Sequence, residues 1–301
     1  PLMVHETLAA THAVVTLDVA LPGIVWGWII TMNMWAKSVG TGIIFLGFFL
    51  LKKYPEQTAF IRFPIVAVSI VFIHIFLFFT VIDLHQMFRF WHIFAHPHLT
   101  SAITVGAWMA TAFVGLLFAM AYAIYMKKDV ALYDKLLGWT TLLAIPVTLY
   151  TAGLMAESTA RELWQMPTEA AQMILAALLA GSATMILLGG NKFSDPVKRD
   201  LGIVLGLSAF AAFILYMSEY IFGAMKAEEV AATLAFVKGG EYTVMFWIGQ
   251  VMAYLAPMAL ICLSLKNQSY YLLKIAAVSA LVGLWVAKHV WLVIPQLLNM
   301  S

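Results

Sequence analysis

Residues 62–88, RFPIVAVSIVFIHIFLFFTVIDLHQMF, decide the fold class. Between Arg62 and Asp83 the only ionisable side chain is His74, and the remainder is almost wholly apolar. The hydrocarbon core of a bilayer is about 30 Å thick and needs about 20 apolar residues per helical crossing, so this stretch is long enough to span it. Backbone N–H and C=O groups cannot stay unpaired in hydrocarbon, which makes an α-helix the conformation open to such a segment.

Outward from this run the pattern repeats. Apolar stretches broken by charges, Pro and Gly lie at approximately 23–51, 62–88, 100–126, 136–157, 169–190, 200–224, 241–265 and 271–296. With 63% hydrophobic and 11% charged residues the chain departs far from a soluble domain, at roughly 45–50% and 25%. The expected fold is therefore all-α, a polytopic bundle of eight transmembrane helices forming one transmembrane domain over residues 1–301. Connecting segments are too short for a second globular domain; the longest, around 225–240, has room for a short interfacial helix. Pro1 in place of Met reads as a trimmed start, with no signal-like cleavage site ahead of the first span.

Charge sets orientation and narrows function. Lys52, Lys53, Arg62, Lys127, Lys128, Lys135, Lys192, Lys198, Arg199, Lys266 and Lys274 follow the odd-numbered spans, against Arg89, Arg161, Lys226 and Lys238 on the opposite side. The positive-inside rule then places both termini, and the even-numbered loops, on the periplasmic side of a bacterial or archaeal cytoplasmic membrane. A net charge of +2 without a basic cluster gives no support for nucleic-acid binding. A single cysteine, Cys262, argues against iron–sulfur or structural zinc sites within this chain, so such centres would come from partners.

Ionisable groups inside spans are costly and mark candidate sites. In span one Trp26, Ile30, Asn33 and Lys37 recur at helical spacing, aligning an indole, an amide and an amine along one face. Two readings stand: the stripe lines a site, or Asn33 bonds a neighbouring helix and Lys37 meets a carboxylate. The end of span two, DLHQMFRFWHIFAHPHLTS, gathers Asp83, His85, Arg89, His92, His96 and His98. Proton acceptors, haem or metal ligands, and simple loop anchors all fit it. Tyr150 and Glu157, seven apart, share a face of span four, and Glu157 and Arg161 are spaced to pair. Glu219 in span six either pairs with a cation or belongs to a proton route, the structural pair being the simpler reading. A dihaem arrangement is disfavoured, because His74 and His289 differ in depth by roughly 10 Å at about 1.5 Å per residue, though His85 and His289 are level.

Three of these segments, taken together, resemble the polysulfide-reductase membrane-subunit family, also called NrfD-like. DLHQMFRFW followed by HPHLTSAITVGAW resembles its signature across spans two and three; YTAGLMAESTARELWQMP resembles its Tyr-containing segment closing on Leu-Trp; WGWIITMNMWAKSVGTG resembles its first core helix. The second half matches in hydropathy alone. The resemblance implies a haem-free subunit with a quinone site near the periplasmic face, docked to an iron–sulfur electron-transfer subunit with molybdopterin or cytochrome subunits beyond. It places Tyr150 where the family has a quinone-bonding tyrosine, Asn33 where some members have a histidine, and Asp83 at the family's acidic position. Trp26 and Trp28 are expected to wall the pocket, Lys37 to stabilise a reduced menaquinone or ubiquinone, and Asp83, His85 and Glu157 to handle protons. The rival readings are a proton or solute transporter, in which Lys37, Glu219 and Lys288 mark a path and broken helices are required in both halves, with Gly40 and Gly42 hinting at one; a redox-driven pump that couples the quinone chemistry to proton translocation through the bundle; a cytochrome b-type subunit; and a plain structural anchor.

Overall fold

The structure, a computed structural model, describes residues 24–84 and 86–298. Among these residues there are no strands, and eight helices are long and apolar enough to cross a membrane. They are span one (Trp28–Lys53), span two (Ala59–Asp83), span three (Ala102–Tyr125), span four (Val130–Glu157), span five (Met166–Lys192), span six (Asp195–Met225), span seven (Thr243–Asn267) and span eight (Tyr270–Gln296). Every predicted span is present.

Several boundaries shift by up to six residues from the hydropathy reading, and two of the shifts have a clear local reason. Span four begins six residues early because Asp129 caps it, its Oδ1 accepting from the Leu132 N–H at 2.9 Å, and because buried Tyr133 donates to the Arg62 carbonyl at 2.7 Å. Span two ends at Asp83 rather than 88, since Leu84 turns to extended backbone (ψ 120°) and the chain continues as a 3-10 turn at Met87–Arg89 and a short helix at His92–Ala95. The anticipated helix between spans six and seven forms at Glu228–Lys238, and it buries Val230, Thr233, Leu234 and Val237.

The bundle is layered by burial. Span one is 78% buried over its apolar window and spans five and eight 61% each, whereas the other five lie between 28% and 39%. Spans one, five and eight therefore form the interior, and the lipid-facing surface falls to the rest. Spans one and five can approach this closely because glycines meet: a Cβ on Gly42 would fall 1.9 Å from the Ala177 carbonyl oxygen, and one on Gly181 2.3 Å from Gly42. Gly40 and Gly42 thus serve helix crossing rather than helix breaking, and span one runs unbroken through both. Span seven carries a π-helical turn at Val251–Leu255, held where Ser279 Oγ donates to the Met252 carbonyl at 2.8 Å.

Candidate functional site

A cavity of about 380 Å³ opens between the ends of spans one to four. Trp26 faces it from just ahead of span one and Ile30 and Asn33 from within that span, Phe76, Thr80 and Asp83 from span two, Gly106 and Thr111 from span three, Tyr150, Thr151 and Leu154 from span four; Leu292 of span eight also lines it. Phe90, Ile93 and Phe94, from the segment between spans two and three, cover it. The lining is mostly apolar with a few polar groups converging, the usual composition of a small-molecule site, and the volume lies in the lower part of the roughly 300–1,000 Å³ range.

Tyr150 is held from three sides. Gly106 gives it room, since a Cβ there would lie 2.5 Å from the tyrosine Cδ2. Phe76 meets the ring edge-on at 6.1 Å, and the Lys37 ammonium sits 4.6 Å from the ring centroid. The glycine of the Gly-Ala-Trp segment in span three is therefore what admits the tyrosine of span four.

Asn33 is committed to span two. Its Nδ2 donates to the Phe76 carbonyl at 3.1 Å and to Thr80 Oγ1 at 2.6 Å, while Thr80 Oγ1 donates onward to the same carbonyl at 2.9 Å. Turning the amide over would set Oδ1 against a carbonyl oxygen, acceptor against acceptor, so this orientation is fixed by chemistry. Both amide hydrogens are used, and Oδ1 is the atom left for a ligand. Asn33 therefore presents an acceptor, and no free N–H, toward the cavity.

Lys37 is fully buried below Tyr150, donates to Thr151 Oγ1, and makes no ion pair with a carboxylate among the described residues. It adjoins the cavity without lining it. Trp26 lines the cavity and stacks on Trp164 at 5.5 Å and 23°, joining the first core helix to the Leu-Trp turn. Gln296 fixes that corner, accepting from the Trp26 N–H at 2.9 Å and donating to the Trp26 carbonyl at 2.9 Å.

Other expected site residues are placed differently. Trp28 opens span one, is 56% exposed and edge-on to Phe79, and is not part of the cavity wall, whereas Trp26, in the non-helical segment before it, is. Glu157 is exposed at the end of span four, away from the lining. Its expected partner Arg161 instead donates to the carbonyls of Pro295 and, at 3.0 Å, Leu298. Burial lowers the Arg161 pKa, and the nearby Glu229 carboxylate opposes that effect. His85 lies outside the described residues. His289 packs flat on Trp285 with rings 5.1 Å apart, and its Nδ1 is 2.9 Å from Thr31 Oγ1. Glu219 forms the anticipated structural pair, 2.6 Å from Lys226.

Sequence reading passed over Thr80, Gly106, Thr151 and the covering aromatics Phe90 and Phe94. The last two are four residues apart, a spacing that marks one face of a turn and was available as a signal.

A comparison with curated proteins finds no match. The family model described as polysulphide reductase, NrfD, matches residues 20–299, which takes in the second helical half as well as the four spans around the cavity. The chain belongs to the polysulphide reductase NrfD family.

Proposed function

We propose that this chain is the quinone-reactive membrane subunit of a multisubunit respiratory oxidoreductase, exchanging electrons between membrane menaquinone or ubiquinone and an iron–sulfur partner subunit. The observation that carries the reading is the cavity at one end of spans one to four, where Tyr150, Asn33 and Asp83 converge in an otherwise apolar lining. Family membership supports a role as membrane anchor within a complex. The basic-residue asymmetry argues that this end faces the periplasm.

The donor set fits the proposed ligand, and favours its reduced form. A quinol presents hydroxyl hydrogens, and Asn33 Oδ1 accepts one; a tyrosine hydroxyl both donates and accepts, so Tyr150 serves either redox state. A bound quinol supplies two electrons and two protons on oxidation. Asp83, at the rim, accepts a proton and passes it to the nearby aqueous face. Phe76, Phe90 and Phe94 exclude water from the ring, which strengthens every polar contact within. An iron–sulfur centre of the partner subunit would take up the electrons, with molybdopterin or cytochrome subunits beyond it in the complex. The transporter reading loses its structural requirement, because the described spans carry no mid-membrane break beyond the π turn in span seven.

The test is to purify the chain with its co-purifying partners, extract and identify bound quinone, and record the optical spectrum on reduction with a quinol analogue. Bound quinone, with Tyr150→Phe and Asn33→Ala each slowing quinol-linked turnover, is the expected result. Unchanged turnover in both variants overturns the pocket, and a haem band assigned to this chain makes the cytochrome reading the leading one.

A further inference from the structure

A second cavity, of about 270 Å³, lies at the opposite end of the bundle, between the start of span six and the turn that joins spans seven and eight. Asp195, Lys198 and Arg199 line it from the first turns of span six, and Gln268, Ser269 and Tyr270 from the turn and the start of span eight. Unlike the first cavity, it is lined largely by charged and polar side chains.

Its charges do not cancel. The Lys198 ammonium lies 5.2 Å and the Lys274 ammonium 4.8 Å from the centroid of the Tyr270 ring, so two cations share one aromatic ring. Arg199 adds a third from the next position of span six. The acid in the lining, Asp195, meets Lys198 at 3.3 Å with its own side chain 97% exposed. Asp200 is already taken, by Lys53 at 2.6 Å and by the Tyr54 hydroxyl at 2.8 Å. Arg199 and Lys274 form no ion pair among the described residues. Like charges gathered in this way repel, and an anion held among them reverses the sign of that interaction.

The frame around these cations is fixed. The Tyr270 hydroxyl donates to the Ile186 carbonyl near the end of span five, which holds the ring in place. Ser264 Oγ donates to the Ser269 carbonyl at 2.7 Å and the Ser269 N–H donates to the Ser264 carbonyl at 3.1 Å, pinning the turn. Gln268 closes span seven in left-handed backbone (φ 50°), where glycine is the usual choice. Glutamine instead brings to the lining a side chain with two N–H donors.

The chemistry of the ligand follows from what adjoins the cations. Arg199 heads a stripe on span six in which Ile203, Leu207, Phe210 and Ile214 follow at helical spacing, all exposed on the outside of the bundle. Leu265, also exposed, lines the cavity itself. A free phosphate engages the cations alone, whereas a phospholipid engages the cations with its headgroup and the apolar stripe with its tail. A zwitterionic headgroup would add a further ammonium to a site that already has an excess of cations, so an anionic one fits better.

We propose that this cavity binds the phosphodiester headgroup of an anionic phospholipid, held by Lys198, Arg199 and Lys274 around Tyr270, with an acyl chain laid along Ile203, Leu207 and Phe210. The lipid joins the starts of spans six and eight beside the turn that ends span seven, and so stabilises the second helical half. The inference is independent of the quinone reading.

The experiment takes the purified complex, delipidated in a neutral detergent, and titrates it with dioleoylphosphatidylglycerol, dioleoylphosphatidylcholine or inorganic phosphate. Bound lipid is read by native mass spectrometry and stability by the thermal unfolding midpoint. The expected result is that phosphatidylglycerol binds and raises the midpoint, that phosphatidylcholine binds about tenfold more weakly, and that inorganic phosphate leaves the midpoint unchanged. Arg199→Gln combined with Lys274→Gln weakens phosphatidylglycerol binding roughly thirtyfold, as the loss of two cations beside an anionic headgroup requires. Arg199→Lys combined with Lys274→Arg, which keeps the charge, stays within several-fold of wild type. Equal binding of the two lipids by the wild-type complex overturns the site, and that result depends on no variant folding. Phosphatidylglycerol binding unchanged in the double glutamine variant overturns it as well. Stabilisation by inorganic phosphate equal to that by phosphatidylglycerol overturns the lipid and makes the cavity a site for a soluble phosphate.

Discussion

Spans one to four and spans five to eight differ less in hydropathy than in how they handle polarity. The first half keeps an open cavity and, among the described residues, satisfies its buried side-chain polar atoms: Asn33 bonds Phe76 and Thr80, Thr148 bonds Thr41 at 2.9 Å, and Ser69 bonds the Gly40 carbonyl at 2.8 Å. The second half contributes little to the cavity yet holds the unpaired atoms of Gln172, Glu219, Thr233 and Gln250. A site that must bind one ligand in one pose needs fixed donors and acceptors. The second half instead keeps buried groups that its own side chains leave unpaired, so the two halves differ in how firmly their polar interior is fixed.

The comparison breaks most severely at the seam between the halves. Gly42→Leu drives a side chain into the backbone of span five, and overpacking against backbone costs at least about 1–3 kcal/mol. The expected outcome is loss of the monodisperse complex on size-exclusion chromatography, whereas Gly115→Leu, where nothing lies near, assembles normally.

Gly106→Ala sharpens the role of the first half. The added methyl meets the Tyr150 ring and displaces it, and a misplaced group of this kind lowers turnover by up to about a hundredfold. Assembly is retained, so quinol-linked kcat falls while the complex still elutes as wild type. Asn33→Leu removes the acceptor and leaves Thr80 without its donor; the loss of one hydrogen bond to the ligand, about 0.5–1.5 kcal/mol, raises the quinol KM about tenfold or less. The smallest effect falls on Trp28→Leu. It stands outside the cavity, so kcat and KM stay within about twofold of wild type, as surface substitutions shift energies by about 0.5 kcal/mol or less.

The fold was almost wholly legible in the sequence because spanning is a local property: each apolar run must satisfy its own backbone. The site was legible in part. Tyr150, Asn33 and Asp83 stood out through family resemblance, and Lys37 because a charge in a span is conspicuous. Trp28 was misplaced because the helix begins at it: Trp26 stands in the segment before the helix and turns to the cavity, while Trp28 lies on the exposed side, a boundary that hydropathy does not fix. Gly106 and Thr80 were silent, since a glycine opening a helix and a threonine near its end have many uses and only the partner helix reveals which. Of the buried acids, Glu169 was the hardest to see. It follows Pro167 in a first helical turn, where an acid reads as a response to the helix dipole, and its burial depends on Trp291 more than a hundred residues away.

Span one is the most enclosed of the helices, and it is made before the spans that enclose it. As the chain enters the membrane in order, Lys37 and the glycine seam at Gly42 spend the synthesis of about 120 residues facing lipid or insertion machinery before span five arrives, and longer before Lys288 and Trp291 follow. Biogenesis of this subunit therefore has a waiting step built into its sequence order, and a chain stalled before span five presents an uncovered amine inside the bilayer, a mark by which quality control can distinguish unfinished chains from finished ones.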